Sequence, residues 1–461
     1  MQIMAAIDPV TRVEGHLKVE VAVDSVNGVQ KVVDAKASGT LFRGLEKILI
    51  NRDPWDAQHI TERICGVCPV AHGMAAVLAL DNAAGVKPPP NGRILRNLVN
   101  GANFLDSHIL HFYLLAILDF VDGPAMMPLQ PSWKVDRRLD AAATQTLMDH
   151  YVTALDMRRK AHEMGAIFGG RLPHPPAYVP GGFTEVPTAE QIAKFKSYLD
   201  QLIPFIADVY IRDVELLGKA YNDYFSIGRG PGNLLAYGAF ELDDTGDSKL
   251  FRQGRAADGS PTVQAVETNA IAEHVAYSWY ADSKNSLDPA SSQTEPLYSK
   301  EKAYSWVKAA RYGGAPYEVG PLARMWINGD CRRGISVMDR HQARAREALK
   351  IAQAMRAWVD QIQVGQPVFA PNTVPASATG VGLCEAPRGA LGHWVRIADS
   401  KIAHYQIITP TCWNASPRDS AGQRGPLEQA LIGTAVQNPQ EPIEVLRVVH
   451  SFDPCLDCAV Q

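Results

Sequence analysis

The chain of 461 residues has no long apolar run. A membrane-crossing helix needs about 18 or more apolar residues in succession. The most apolar segment, FYLLAILDFV at 112–121, is too short and reads as a core helix. Charge of one sign is also scarce. Lys and Arg number 45 against 49 Asp and Glu, a net charge of −4, so the basic stripe of a nucleic-acid binder is absent. The opening MQIMAAIDPVTRVEGH reaches charged residues too soon for an export signal, which needs a basic start and then an apolar stretch. That leaves the compartment open, because a chain can be exported while bound to a signal-bearing partner. No internal repeat, low-complexity tract or long Pro/Gly linker divides the chain. Cysteines are few and odd in number, at seven, which does not suit a disulfide framework.

What is present suits a large folded body. Hydrophobic residues make up 46% and charged residues 20%, enough apolar surface for a sizeable core. A single domain over 1–461 is expected. Its first 40 residues read as strands, because HLKVEVAVDSVNGVQKVVDAKASG alternates apolar and polar around Asn27-Gly28, a hairpin turn pair. Helical periodicity then takes over at 70–86, 92–121, 188–222 and 337–363. The looser stretch 225–330 reads as loops and short strands. The fold class expected is α-rich (α+β). A bundle of long helices over 60–365 would carry a small N-terminal β element, and 366–461 would form irregular loops and a helix around a buried metal site.

Four of the cysteines form two close pairs, Cys65/Cys68 and Cys455/Cys458, almost a whole chain apart. Two Cys-x-x-Cys pairs suit structural zinc, an iron–sulfur cluster or a redox disulfide. A structural zinc usually staples a short segment with little core, whereas ligands from both ends of a long chain point to a site built inside a finished fold. All-thiolate ligation is soft and excludes magnesium or calcium at that spot, and thiolates can bridge two metals. Arg63 precedes the first pair and Asp453 the second. His72, at the start of a predicted helix, is placed to reach the Cys68 sulfur. Cys331, Cys384 and Cys412 read as buried free thiols.

RICGVCPVAHG (63–73) and DPCLDC (453–458) resemble the two metal-binding signatures of the large subunit of nickel–iron hydrogenases. The resemblance extends, in family order, through DPVTRVEGHLKVEV (8–21), FRGLEKIL (42–49), SHILHFYLLAILDFV (107–121), EAPRGALGHW (385–394) and TPTCWNASPRDSAGQRGPLEQALIGT (409–434). It implies reversible cleavage of dihydrogen into protons and electrons at nickel bridged to an iron that carries carbon monoxide and two cyanides. Cys65 and Cys455 would be terminal nickel ligands, and Cys68 and Cys458 would bridge nickel and iron. Glu14 would take a proton from Cys455. Arg388 would hang over the open metal position with Asp453 as its partner. Groups near Pro387 and Thr411 would hydrogen-bond the cyanides. Val67 and Leu115 match positions that narrow the gas path, and their modest size suits a catalytic member.

The resemblance also implies a third metal, magnesium or iron, held by Glu46, a C-terminal histidine and a carbonyl near His404. Here Gln461 stands in the histidine's place, and its amide oxygen suits magnesium. Precursors in the family usually carry an extension beyond this point. Its absence here reads as a mature chain or a gene without one, and the latter occurs in hydrogen sensors, the alternative function. Cys412 and Leu114 stand where Thr and often His are expected. No further cysteine cluster can carry electrons away, so an iron–sulfur small subunit is the implied partner, in a heterodimer or higher oligomer. Export with that subunit implies a periplasmic or membrane-associated location, with the cytoplasm as the alternative.

Overall fold

The protein is described by a computed structural model covering residues 2–123, 133 and 135–461. The N-terminal alternation forms an antiparallel sheet of β1 (Ile3–Ile7), β2 (Leu17–Val26) and β3 (Val29–Gly39). Val26 pairs with Val29, so Asn27 and Gly28 are the two-residue turn, with φ of 53° and 80°. That turn matches the right-handed twist of the strands it joins.

The helical body begins with α1 (Pro69–Ala84) and α2 (Pro90–Leu110), each with proline in its first turn, where no backbone donor is lost. Twenty of the 21 residues of α2 are buried, Arg93, Arg96, Asp106 and His108 among them. It continues into a wider turn at His111–Ala116. α3 (Ala141–Gly169) lies against α2 and was not anticipated from the sequence. α4 (Ala189–Phe205) starts at a reciprocal cap between Thr188 and Gln191 and leads through Ile206–Tyr210 into α5 (Ile211–Ala220). α6 (Pro321–Asn328) precedes α7 (Val337–Val359), whose first turn is capped by Ser336. Up to α6, residues 225–330 are mostly loops and turns with short strands among them, as expected.

The sequence-based picture needs one correction. The region after residue 365 is not mainly irregular. It holds a second antiparallel sheet of β4 (Ala378–Ala386), β5 (Gly389–Ala398) and β6 (Lys401–Ile408), followed by α8 (Ile443–Ser451). The fold is therefore mixed, a helical core with two three-stranded sheets, rather than a helix bundle with a β appendage. α1 is laid directly on β4. A Cβ at Gly380 or Gly382 would stand 2.0 Å from the carbonyl oxygen of Ala79 or Ala75, so only glycine permits this approach. The contact ties α1, which Cys68 immediately precedes, to the hairpin that carries Arg388.

Candidate metal centre

Three chain segments meet at the centre. The loop before α1 brings Cys65 and Cys68. The stretch after α8 brings Cys455 and Cys458. The connection between β1 and β2 brings Glu14. Residues 14 and 455 pair as neighbouring extended backbone, and the Leu456 N–H donates to the Glu14 carbonyl at 2.7 Å. Gly15, at φ 80°, lies so close that a Cβ would stand 2.6 Å from the Asp457 nitrogen. Arg43, which the sequence reading passed over, ties the two cysteine loops together. It donates to the carbonyls of Arg63 and Ile64 on one side and of Asp457 on the other.

The four sulfurs lie within 4.8 Å of one another, all buried. Cys65 and Cys455 are 3.5 Å apart, Cys68 and Cys458 3.3 Å, and Cys455 and Cys458 2.9 Å. The Val67 and Cys68 amides each donate to the Cys65 sulfur at 3.2 Å. Burial resists ionisation of Cys65, but hydrogen bonds from Cys455, Cys458 and Cys68 and the charge of Arg388 hold it well below the usual thiol range. Burial pushes Cys455 and Cys458 up. So many thiols in one dry pocket cannot all ionise without a cation among them. This all-thiolate donor set fits soft metals.

Arg388 sits at the tip of the β4–β5 hairpin. Ala386 pairs with Gly389, so Pro387 and Arg388 are the two turn residues. Arg388 Nη2 lies 2.9 Å from Asp453 Oδ1, and its Nε donates to the Asp453 carbonyl at 3.0 Å. Burial opposes its charge, yet Asp453 and the thiols Cys455, Cys68 and Cys65 raise its pKa well above the usual value. Arg324 on α6, wholly buried, fixes this tip from behind. It donates to the carbonyls of Ala386 (3.0 Å) and Pro387 (2.8 Å) and pairs with Glu347 and Glu385. Arg324 was not singled out from the sequence; a lone arginine in the otherwise apolar run PLARMWI was the available signal.

The remaining expected residues are placed as follows. Thr411 Oγ1 accepts from the Cys455 N–H at 3.0 Å, so it supports the cysteine backbone. Glu14 is half-buried, and burial together with the nearby Cys65 pushes its carboxyl up to about 7. Val67 and Leu115 are both partly exposed, and the Val67 carbonyl is held by Asn103. The placement of His72 at a helix start holds, but its bond to Cys68 does not. Its Nδ1 lies 3.2 Å from His393 Nε2, and His393 in turn meets the Tyr405 hydroxyl at 2.9 Å. Burial keeps His72 neutral by lowering its pKa to about 4, so it is a packed, hydrogen-bonded core histidine. Cys331, Cys384 and Cys412 are buried free thiols.

The third-metal residues do not fit a divalent cation as they stand. Glu46 Oε1 accepts from the Ile407 N–H at 2.9 Å, and Oε2 is paired with Lys308 Nζ at 2.9 Å. Gln461 turns its amide nitrogen back onto the carbonyls of Asp457 and Cys458. His404 Nε2 lies 2.6 Å from the Ser292 carbonyl oxygen.

Comparison with known proteins agrees with this geometry. The sequence profile described as nickel-dependent hydrogenase matches residues 43–132 and 125–461, and one described as HoxL-like matches 5–33. The periplasmic [NiFeSe] hydrogenase large subunit of Desulfomicrobium baculatum is 43% identical, over 100% of this chain and 95% of its own. The hydrogenase-1 large chain of Escherichia coli is 32% identical over 98% and 94%. The solved Ni-Fe-Se hydrogenase of D. vulgaris Hildenborough superposes with a TM-score of 0.96 at 44% identity, covering all of both chains. With a profile match over most of its length and relatives of this similarity across its whole extent, the chain belongs to the nickel-dependent hydrogenase family.

Proposed function

We propose that this chain is the catalytic large subunit of a hydrogenase, an oxidoreductase that interconverts dihydrogen with two protons and two electrons. The observation that carries the reading is the convergence of Cys65, Cys68, Cys455 and Cys458 beside the buried Arg388–Asp453 pair. A structural zinc would have no use for that guanidinium. The four cysteines would hold a nickel–iron pair, with carbon monoxide and cyanides on the iron, which would supply the binding and heterolytic splitting of dihydrogen. Two of the relatives named above have selenium in their names, but this chain has cysteine at all four positions.

The chain's own groups then handle the proton and the charge. Cys455 Sγ accepts the proton. The Glu14 carboxyl, on the neighbouring backbone and ionising near neutrality, passes it outward. Arg388, oriented by Asp453, holds a fixed positive charge over the reacting site in a dry environment, where such a charge acts most strongly. Pro387 and Thr411 would lie beside the cyanides of that group, and Val67 and Leu115 would border the path of the gas.

The electrons leave through an iron–sulfur small subunit seated over the Cys65–Cys68 loop, where Arg63 and Gly66 are exposed. Among the described residues no helix is long and apolar enough to cross a membrane, and one relative is named as periplasmic. We place the pair in the periplasm, exported on the small subunit's signal. The relatives named above are hydrogenases, and no structural observation favours a sensor.

The test is an infrared spectrum of the purified protein with nickel and iron analysis. Carbon monoxide and cyanide bands with one nickel per chain support the reading. Zinc in place of nickel, with no such bands in an active-lineage preparation, removes it.

A further inference from the structure

The buried cluster around Lys308 raises a question that the thiol centre does not. Glu46 and Glu273 are both buried, at 2% and 1% exposed, and both reach Lys308, itself 5% exposed. Lys308 Nζ lies 2.9 Å from Glu46 Oε2, 3.7 Å from Glu273 Oε1 and 2.7 Å from Thr294 Oγ1. Beneath it is the Tyr280 ring, with its centroid 5.3 Å from Nζ, a further contact that favours a cation. The other oxygen of each carboxylate is engaged as well. Ile407 N–H donates to Glu46 Oε1 at 2.9 Å, and Gln406 Nε2 donates to Glu273 Oε2 at 2.7 Å.

We propose that Lys308 is the resident cation of this site, and that its ammonium takes the place the family resemblance gives to magnesium or iron. Charge is the first reason. One ammonium and two carboxylates leave the pocket close to neutral when one carboxyl carries a proton. A divalent ion added beside the ammonium would leave net positive charge in a dry interior, where like charges repel most strongly. Ligand supply is the second reason. Magnesium demands near-ideal octahedral oxygen coordination, and no carboxylate oxygen here is uncommitted. The Gln461 side chain supplies one neutral oxygen, Oε1, which has no partner among the described residues. A tethered ammonium joins Glu46 and the β6 strand to the segment before residue 309 on folding, and a chelator cannot remove it.

The experiment uses the assembled holoenzyme, dialysed against EDTA and analysed for nickel, magnesium and manganese. The partner's iron–sulfur clusters mask a simple iron count, so anomalous diffraction at the iron edge accompanies it. The expected result is one nickel per chain, magnesium and manganese far below one, no iron peak beside Glu46, and a Tm untouched by the chelator. Stoichiometric magnesium or manganese, an iron peak at Glu46, or a Tm lowered by EDTA and restored by magnesium overturns the proposal.

Lys308→Met is the second arm. It should lower Tm, and magnesium chloride should restore it with retained magnesium. An unchanged Tm without magnesium uptake overturns the counter-ion role. If the variant does not fold, the wild-type metal analysis still decides. Absence of nickel from the same sample would instead count against the thiol-centre reading, so the two failures are separable.

Discussion

The thiol centre and the Lys308 site are both buried, and both draw on residues far apart in the chain, yet they balance charge in opposite ways. At the thiol centre four acidic sulfurs meet beside a single guanidinium already committed to Asp453. The protein supplies soft ligands in excess of its own positive charge, and a metal completes the account. Around Lys308 the ligands are hard oxygens, and the ammonium that balances them is part of the chain. A buried site that leaves its charge unpaired is built for a guest, whereas one that pairs it internally is built to hold the fold. Substitutions at the first should therefore change metal content and rate, and those at the second should change stability.

The largest effect is expected at Cys68. Cys68→Ser replaces one of the four converging soft sulfurs with a hard hydroxyl, so nickel and iron should both be lost and hydrogen oxidation abolished. Metal analysis and a hydrogen-uptake assay check this, and normal turnover would remove the centre as described. Arg388→Lys comes next. Lysine keeps the charge but not the planar fork that Asp453 orients. The rate should fall on the order of 10²- to 10³-fold, the range for losing one preorganised electrostatic donor. Nickel should be retained, and a nickel-free variant would make Arg388 a structural residue instead. At the other site Glu46→Gln breaks a buried ion pair and leaves Lys308 with weaker compensation. About 3–5 kcal/mol of stability should go, as for other buried pairs that lose one partner, with nickel content unaltered. Chemical denaturation monitored by tryptophan fluorescence measures it, and a loss confined to nickel content would merge the two sites into one.

How far the sequence foretold this contrast depends on the kind of signal each region leaves. The N-terminal strands were legible because one face is buried and alternation marks it. The β4–β6 sheet was not, because β5 is buried on both faces over Gly389–Val395, and alternation disappears when neither face meets water. α3 was missed because few of its residues are buried, so its apolar stripe is thin. Leu147, Ala154, Ala161 and Phe168 recur every seventh residue, a spacing that could have revealed it. The cysteines, Arg388 and Glu14 were legible as motifs. Lys308 lay outside every motif, and its partner Glu46 is 262 residues away, a pairing that only the folded chain brings about.

The finest test of the contrast is a pH profile. Burial pushes the Glu273 carboxyl up from its ordinary 4.5 to about 7; Lys308 works against the rise and Glu46 adds to it. The folded protein thus prefers Glu273 protonated. That preference adds stability in full below pH 4.5, and the contribution is lost as pH rises through about 7. At about 1.4 kcal/mol for each pH unit between the two values, the loss is about 3 kcal/mol at most. Glu273→Gln keeps an uncharged side chain of the same shape at every pH, so its stability should decline less between about pH 5 and 8 than that of the wild type. Tm measured across that range gives the comparison. Parallel profiles would mean that Glu273 is already ionised in the fold, with its charge met by a cation beyond Lys308, and the site would then resemble the thiol centre in needing a guest.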